Sequence, residues 1–341
     1  MKQEKTKFDS YCLNSIANGC RYCVKGEKLV LFVTGVCKRN CWYCSLSNKR
    51  KNKDEIYANE RECKNEKDIF KEIGESRATS AGITGGDPLL VFSRTIKFAS
   101  ALKKRFGKKF HIHIYVPTKF ATAEKLEKLS KVIDEIRFHP EFLINKEKEK
   151  RDIEKIRIAG LFWNKPNIGI ELPMIPDKKK EILNFILKVK DYIGFVNLNE
   201  FELSETNFDL VTKKYKLSKG GYVIKESLNS GKWILNELAK RKTKLKVHLC
   251  TADLKNCNQF RNRLKRHEIM PYGKRTEEGT VIYLIVKGKL KAKESYYDKK
   301  KKRTILSESS ARKLLSKGKK VFRVEEFPTY DMIEVEKEVI E

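Results

Sequence analysis

Cysteine is the residue type best suited to unusual chemistry in this chain. The 341 residues include nine cysteines, and six of them fall between residues 12 and 44. We expect a chain without a secretory signal, and an odd number of cysteines in such a chain argues against a disulfide framework. Metal or redox chemistry is therefore the better interpretation.

The densest group of cysteines is Cys37, Cys41 and Cys44, at spacings of four and three. Three thiolates on so short a segment can hold a cube of iron and sulfide and leave one iron without a protein ligand. A closed zinc site needs a fourth ligand, and this segment contains no histidine. The pattern predicts an iron–sulfur cluster with an open position for a substrate or cofactor.

A turn that can approach a ligand follows further along the chain. A short β-prone run ends in Gly85-Gly86-Asp87-Pro88. Paired glycines let the backbone come close to a ligand, and the proline blocks a helix. The Asp87 carboxylate could accept a hydrogen bond from a bound amine.

The cysteine segment, with Tyr43 before its third cysteine, and the glycine turn together resemble the radical S-adenosylmethionine (radical SAM) superfamily. The resemblance implies that Cys37, Cys41 and Cys44 hold a [4Fe-4S] cluster whose fourth iron is chelated by the methionine group of S-adenosylmethionine. It implies that the turn contacts the amino group, although the family often has glutamate in place of Asp87. A flavodoxin or ferredoxin would reduce the cluster, and the 5′-deoxyadenosyl radical would take hydrogen from a substrate.

Most of the chain also resembles an archaeal branch labelled as related to pyruvate formate-lyase activating enzymes. The segments that carry this resemblance are 29–44, 57–61, 82–90, 111–115, 134–140, 197–200 and 259–266. The label is an analogy at the level of the fold, so it specifies no substrate.

Strand and helix patterns alternate through the first 267 residues. Apolar, β-prone runs lie at 28–34, 81–84, 110–116, 134–138, 167–172, 195–198 and 245–249. Amphipathic helix patterns lie at 66–79, 93–106, 121–130, 147–160, 178–191 and 229–240. This alternation predicts an α/β fold with a parallel sheet. The resemblance implies a partial (β/α)6 barrel, with ligands at the carboxyl ends of its strands.

Polar residues at these strand ends are candidates for the ribose and carboxylate contacts. They are Glu171, Asn197, Asn199 and Glu200. His139 and His248 also lie at strand ends and could act as acid, base or hydrogen-bonding groups. His111 and His113 alternate on one strand, and we favour a core role for them over metal ligation.

Four further cysteines could form a second metal site. Cys20 and Cys23 are a CxxC pair ahead of the first barrel strand, Cys12 lies upstream, and Cys250 ends the last strand. Two thiols at this spacing commonly share one metal, so an auxiliary iron–sulfur cluster or zinc site is one interpretation and free thiols the other. Cys257 is a weaker candidate ligand, and Cys63 is interpreted as a plain thiol.

The predicted domains are an N-terminal cysteine-containing extension (1–27), the barrel (28–267) and a small basic α+β appendage (268–341) that could close the barrel cleft. A basic helix is expected at 254–267. Residues 291–323 contain 13 Lys/Arg and 3 acidic residues, beside Tyr296 and Tyr297. Such a patch could hold phosphates and stack bases, or it could be a solvated loop.

The chain carries 75 Lys+Arg and 45 Asp+Glu, a formal net charge of +30. We expect a cytoplasmic protein with no membrane partner, and nucleic acid is the favoured polyanion. The leading hypothesis is an enzyme that modifies a tRNA-like RNA. The alternatives are a glycyl-radical activase, which the branch label favours and the charge and extra cysteines do not, a non-catalytic iron–sulfur or zinc protein that binds nucleic acid, and an enzyme with a small-molecule substrate.

Overall fold

A computed structural model describes residues 3–340, and its larger sheet contains the predicted parallel strands. In chain order the strands of this sheet are β1 (Glu4–Lys5), β2 (Tyr11–Leu13), β3 (Lys28–Phe32), β4 (Tyr57–Ala58), β5 (Arg61–Glu62), β6 (Ser80–Thr84), β7 (His111–Pro117), β8 (Glu135–His139), β9 (Ile168–Met174), β10 (Phe195–Glu200) and β11 (Lys246–Cys250). They are ordered β1-β2-β11-β10-β9-β8-β7-β6-β3-β4-β5, and those from β11 to β3 are parallel. The predicted α/β partial barrel is confirmed. The described residues form seven parallel strands, one more than the (β/α)6 barrel that the resemblance implies.

In chain order the helices are α1 (Asn18–Val24), α2 (Glu66–Ser76), α3 (Phe92–Phe106), α4 (Ala123–Ser130), α5 (Glu149–Ala159), α6 (Lys179–Val189), α7 (Phe208–Thr212), α8 (Ser227–Lys240), α9 (Arg261–Arg266) and α10 (Glu308–Leu315). The six amphipathic helices predicted for the barrel are present close to their predicted positions, as α2 to α6 and α8, whereas α1 and α7 were not predicted. The expected basic helix at 254–267 is a π-helical stretch, Leu254–Phe260, continued by α9. No helix among the described residues is long and apolar enough to cross a membrane.

Alternation along the strands separates an apolar outer face from a polar interior. In β7 and β8, Ile112, Ile114, Ile136 and Phe138 are fully buried in the main apolar core with the helices. The residues between them, such as His113 and Arg137, point into the barrel, where they contact each other and α1. The interior of this barrel is therefore charged and hydrogen-bonded.

The N-terminal extension is part of the barrel. Strand β2 pairs antiparallel with β11, so that Cys12 lies opposite His248. Helix α1 enters the barrel at the end where the strands begin. There the Gly19 amide donates a hydrogen bond to Glu135 at 3.1 Å, and the Tyr22 ring stacks on His111 with 5.2 Å between centroids.

The C-terminal appendage forms a second, antiparallel sheet. Its strands are β12 (Lys274–Arg275), β13 (Val281–Lys287), β14 (Ser295–Asp298), β15 (Arg303–Leu306), β16 (Val321–Glu326) and β17 (Glu334–Ile340). The order is β14-β15-β13-β16-β17, with β12 also on β13.

The appendage packs near the end of the barrel where the strands begin. The Glu268 amide donates to the Glu75 carbonyl at 2.6 Å, just before β6 begins, and Arg61 lies over the Tyr330 ring at 4.2 Å. No residue after 267 lines the cavity at the opposite end. The expectation that the appendage closes the cleft is therefore wrong for this structure.

Candidate functional site

The three closely spaced cysteines lie beside a large cavity at the carboxyl ends of the strands. The segment that carries them, residues 33–53, leaves the end of β3 and is called the cysteine loop. Cys37, Cys41 and Cys44 are half-buried, and all three line a cavity of about 570 Å³. The other walls come from the ends of β6 to β10, through Thr84, Tyr115, Pro117, His139, Glu171, Leu172, Asn199 and Glu200. The cavity thus lies at the strand ends where ligands are expected to bind.

Contacts from the segment after β10 hold the cysteine loop in place. The Cys44 carbonyl accepts hydrogen bonds from the Ser204 and Thr206 hydroxyls, each at 3.1 Å. The Trp42 ring stacks on Tyr215, with 6.1 Å between centroids and an interplanar angle of 9°. These contacts fix the loop although it has no regular secondary structure.

The glycine turn packs directly against the cysteine loop. The Gly86 amide donates to the Thr34 carbonyl at 2.7 Å, and a Cβ on Gly86 would lie 2.4 Å from the Val36 carbonyl oxygen. This close approach explains the need for glycine. Gly85 and Gly86 line the cavity, as expected for a backbone that approaches a ligand.

Asp87 and Pro88 lie behind the turn and do not line the cavity. One Asp87 oxygen accepts from the Leu89 amide at 2.9 Å, and the other has no hydrogen-bond partner among the described residues. Burial raises the pKa of Asp87 above its usual value. In this geometry Asp87 shapes the turn.

Glu171 is the centre of the polar floor of the cavity. It accepts hydrogen bonds from Asn199 at 2.9 Å, Asn197 at 3.1 Å and Arg137 at 3.2 Å. Burial opposes ionisation, but the Arg137 charge and the two amide donors lower the pKa of Glu171 to about 2. The structure thus joins the predicted residues Glu171, Asn197 and Asn199, of which Asn197 lies beneath the cavity lining.

Other titratable groups complete the lining. Burial lowers the pKa of His139 to about 4, so its ring is neutral at pH 7. Glu200 accepts from the Ala252 amide at 2.8 Å, and burial raises its pKa. Lys255 lines the cavity and pairs with Glu202 at 2.5 Å.

Two important residues, Arg137 and Lys255, were not identified from sequence. Arg137 had a usable signal, because Glu135, Arg137 and His139 alternate as polar residues on a buried strand. Lys255 had no such signal, because its position depends on the π-helical turn that follows β11.

The residues present fit an iron–sulfur cluster with a bound cofactor. Three thiols of one loop meet at one cavity, whose size lies in the usual range for small-molecule sites. Burial raises the pKa of Cys37 and Cys41, so each carries a proton that metal binding must displace. Tyr43 also lines the cavity and could pack against a flat ring.

The other predicted cysteines occupy different environments. Cys20, Cys23 and Cys250 lie inside the barrel below the cavity floor, and their contacts are given below. Cys12 belongs to an apolar cluster with Cys20 and Phe195. Cys63 is a buried thiol that donates to the Arg61 carbonyl at 3.4 Å, and Cys257 is exposed.

His111 and His113 form part of a possible cation site with Glu135. Their ligand atoms all lie within 4.8 Å of one another. However, Arg137 donates to Glu135 at 2.7 and 2.5 Å, so the carboxylate charge is already paired. Burial and the Arg137 charge also hold the pKa of His113 well below its usual value. This environment disfavours a cation and agrees with a core role.

His248 is held in a similar way within the barrel wall. Its Nε2 atom hydrogen-bonds the Ser10 hydroxyl at 2.9 Å. Burial lowers the pKa of His248 to about 4, so the ring is neutral at pH 7. It does not line the cavity.

Two solved structures show weak overall similarity to this chain. Both are TsrM, a radical S-adenosylmethionine methyltransferase from Kitasatospora setae. The structure with tryptophan and a cofactor analogue has a TM-score of 0.38 and 9% identity, over 57% of this chain and 40% of its own. The structure with cobalamin and a [4Fe-4S] cluster has a TM-score of 0.36 and 10% identity, over 73% of this chain and 54% of its own. This chain thus covers little more than half of either protein at most.

Sequence comparison gives a much closer relationship. Residues 31–151 match the family described as the radical SAM superfamily. A protein of Methanocaldococcus jannaschii, whose name proposes a glycyl-radical enzyme activating enzyme, is 36% identical over 293 residues, which are 82% of this chain and 76% of that protein. The chain therefore belongs to the radical SAM superfamily, and it is an enzyme whose cofactors are a [4Fe-4S] cluster and S-adenosylmethionine.

Proposed function

We propose that this enzyme generates a glycyl radical in a protein partner. Cys37, Cys41 and Cys44 would hold the [4Fe-4S] cluster, and S-adenosylmethionine would lie in the cavity that they line. When reduced by a flavodoxin or ferredoxin, the bound cofactors would supply a 5′-deoxyadenosyl radical, with methionine as the other product of C–S cleavage. A hydrogen atom then moves from the glycine Cα to form 5′-deoxyadenosine, and the unpaired electron stays on the glycine.

The lining residues have separate roles in this proposal. The backbone of Gly85 and Gly86 approaches the amino end of S-adenosylmethionine. Glu171, which remains ionised at neutral pH, accepts hydrogen bonds from the ribose, and Asn199 holds Glu171 in position. The Tyr43 ring packs against the adenine. Together these contacts orient the cofactor and exclude water.

The observation that favours a protein substrate is an apolar rim beside the cavity. On α7, Phe208 is 51% exposed and Leu210 is 56% exposed, and Leu210 also lines the cavity. The segment between β10 and α7 contains Ser204, whose hydroxyl donates a hydrogen bond to the Cys44 carbonyl. Exposed apolar side chains next to a site favour docking of a protein surface over a polyanion. The name of the M. jannaschii relative supports the same class of partner.

An RNA substrate is the second candidate, and the charge distribution favours it. Lys287, Lys289, Lys291 and Lys293 are all exposed in the appendage. Other cations of the expected basic patch serve the fold instead. Lys301 pairs with Glu326 at 2.9 Å, and Arg303 pairs with Asp298 at 3.0 Å. The exposed lysines belong to the appendage, which does not line the cavity, so this candidate ranks second.

The test is an anaerobic assay of 5′-deoxyadenosine with reconstituted protein, dithionite and S-adenosylmethionine. A purified glycyl-radical enzyme polypeptide is added in one arm and total tRNA in another. We expect the polypeptide to stimulate the reaction and to show the electron paramagnetic resonance signal of a glycyl radical. Stimulation by tRNA alone would replace this proposal with the second candidate. A fully loaded protein that makes no 5′-deoxyadenosine would contradict both.

A matched pair of variants tests the apolar rim. Phe208→Asp, at the rim residue that does not line the cavity, should lower kcat/KM for the polypeptide roughly tenfold, because removing one large apolar side chain from a buried interface costs about 1.5 kcal/mol. Cleavage of S-adenosylmethionine without polypeptide should change little. Leu161→Asp is the control, since Leu161 is 75% exposed and does not line the cavity. Equal effects of the two variants would remove the rim from the proposal.

A further inference from the structure

Three cysteines from distant parts of the chain lie on neighbouring elements inside the barrel, below the cavity floor. Cys20 and Cys23 are three residues apart on α1 and share one face of the helix. Cys250 ends β11, and the π-helical turn that follows it packs against α1. Burial, and then the neighbouring Cys23 and Cys20, raise the pKa of Cys250 to about 12. We call Cys20, Cys23 and Cys250 the inner cysteines.

Polar contacts connect the inner cysteines to the cavity floor. Arg137 donates a hydrogen bond to the Cys20 sulfur at 3.4 Å, and the Cys20 thiol donates to Asn197 at 3.5 Å. Both Arg137 and Asn197 also donate to Glu171, which lines the cavity. Asn199, in register with Cys250, donates to Glu171 as well. One layer of side chains therefore separates the inner cysteines from the cavity.

Each inner cysteine has a cation next to it. Arg137 contacts Cys20, the charge of Lys28 interacts with Cys23, and the charge of Lys255 interacts with Cys250. Arg137 and Lys255 also pair with carboxylates. Lys28 is different, because the groups that chiefly act on its charge are Cys23, Tyr115 and Arg137, none of which is a carboxylate.

When the thiols are protonated, Lys28 is the one of these three cations that has no carboxylate beside it. A buried cation without an anion is costly, and a neutral thiol supplies no charge. Thiolates bound to a metal supply negative charge at the three positions where the cations lie.

We propose that Cys20, Cys23 and Cys250 bind a second, thiolate-ligated metal centre below the floor of the cavity. An iron–sulfur cluster accepts three cysteines with a different fourth ligand, whereas a closed zinc site needs a fourth protein ligand. Cys12, expected from sequence as that ligand, packs in an apolar cluster with Cys20 and Phe195 and is left out of the proposed set. The proposal is independent of the substrate that the enzyme acts on.

Metal analysis of a variant without the first cluster tests this proposal. In Cys37→Ala/Cys41→Ala/Cys44→Ala protein, reconstituted anaerobically, we expect about four irons and four sulfides per chain, or about one zinc. Iron with sulfide identifies a cluster, and zinc identifies a mononuclear site. This variant keeps the inner cysteines, and circular dichroism establishes that it is folded. A folded variant that binds neither metal overturns the proposal, whatever the activity of the unaltered enzyme.

Further substitutions in the same background assign the ligands. Adding Cys20→Ser and Cys23→Ser should abolish the remaining metal. Adding Cys63→Ser and Cys257→Ser, which alters two cysteines outside the group, should leave it unchanged. The assignment would be overturned if the Cys63→Ser/Cys257→Ser variant lost the metal and the Cys20→Ser/Cys23→Ser variant kept it. Lys28→Met, which removes the unpaired cation, should lower the reduction potential if the centre is a cluster.

Discussion

At the scale of single residues, Glu171 connects the two halves of the barrel interior. It faces the cavity and receives donors from β8 and β10 through Arg137, Asn197 and Asn199. Arg137 forms an ion pair with Glu171 and also contacts Cys20. These two contacts connect the cavity lining to the inner cysteines. A change at Glu171 should therefore affect stability as well as cofactor binding.

The lowered pKa of Glu171 predicts how stability depends on pH. The pKa falls from its ordinary 4.5 to about 2. Below about pH 4.5 the unfolded chain takes up a proton that the folded protein does not, so this stabilisation is present above pH 4.5 and lost towards pH 2. Glu171→Gln should remove that part of the acid sensitivity. At neutral pH it should cost about 3 kcal/mol, because Arg137 loses a buried partner.

Urea unfolding of the metal-free protein at pH 7, 4.5 and 3, followed by circular dichroism, measures this effect. Glu154→Gln is the control, since Glu154 is an exposed glutamate on α5. The control should keep the pH dependence of the unaltered protein. An identical decline in Glu171→Gln and the control would contradict the assigned pKa.

The site residues that could be predicted from the sequence are those that form short local motifs. Cys37, Cys41 and Cys44 form a local pattern, and the glycine turn is a local motif. Arg137 and Lys255 escaped because their roles depend on the registration of several strands. The role of Asp87 could not be predicted from sequence either, because only the packing of the turn shows that this residue is buried and does not line the cavity.

At the scale of elements, the short helix α1 fills the base of the barrel. The closest approach of this helix to the barrel residues requires a residue without a side chain. Gly19 meets this need, because a Cβ there would lie 2.6 Å from both Arg137 Nη2 and His113 Nδ1. Gly19 thus allows α1 to pack closely against the charged side chains of the barrel interior.

Two glycine substitutions should change stability in opposite directions. Gly19→Ala should destabilise the protein by about 1–3 kcal/mol, because its methyl group overpacks the barrel base. Gly74→Ala should stabilise it by about 1 kcal/mol, because Gly74 lies within α2 and a Cβ there meets nothing within 4 Å. Thermal unfolding of the two variants measures both effects. A neutral Gly19→Ala would show that α1 does not pack in the barrel as described.

Most helices and parallel strands were predictable because their apolar periodicity is strong. The hairpin of β14 and β15 was not, because its strands flank a run of lysines that is typical of a loop. The place of the N-terminal extension in the barrel wall was also hidden. Pairing of β2 with β11 joins residues more than two hundred positions apart, and no local pattern encodes it.

At the scale of the whole molecule, exposed lysines and the cavity belong to different parts of the protein. Lys287, Lys289, Lys291 and Lys293 are exposed in the appendage, whereas the apolar rim is on α7. Any nucleic acid that binds these lysines by charge does not thereby reach the cavity lining.

A fourfold substitution of these lysines by glutamine tests their contribution to RNA binding. For every phosphate that the variant no longer neutralises, the slope of log affinity against log salt should fall by about 1. A variant with glutamine at Lys104, Lys108, Lys109 and Lys150, which are exposed on the barrel, has the same net charge. Binding of total tRNA, measured over a range of salt concentrations, should weaken more in the appendage variant. Equal weakening would mean that only net charge matters.

The pairing of β2 with β11 also constrains the order in which the chain folds. Strand β2 is synthesised long before its partner strand, Lys246–Cys250, which is the last parallel strand of the barrel in chain order. Contacts between such distant segments form slowly, and an unpaired strand edge is prone to aggregate in the meantime. In a nascent chain, Cys20 and Cys23 therefore lack their neighbours on β11 until that strand has been synthesised. The barrel wall is complete only when β2 pairs with β11.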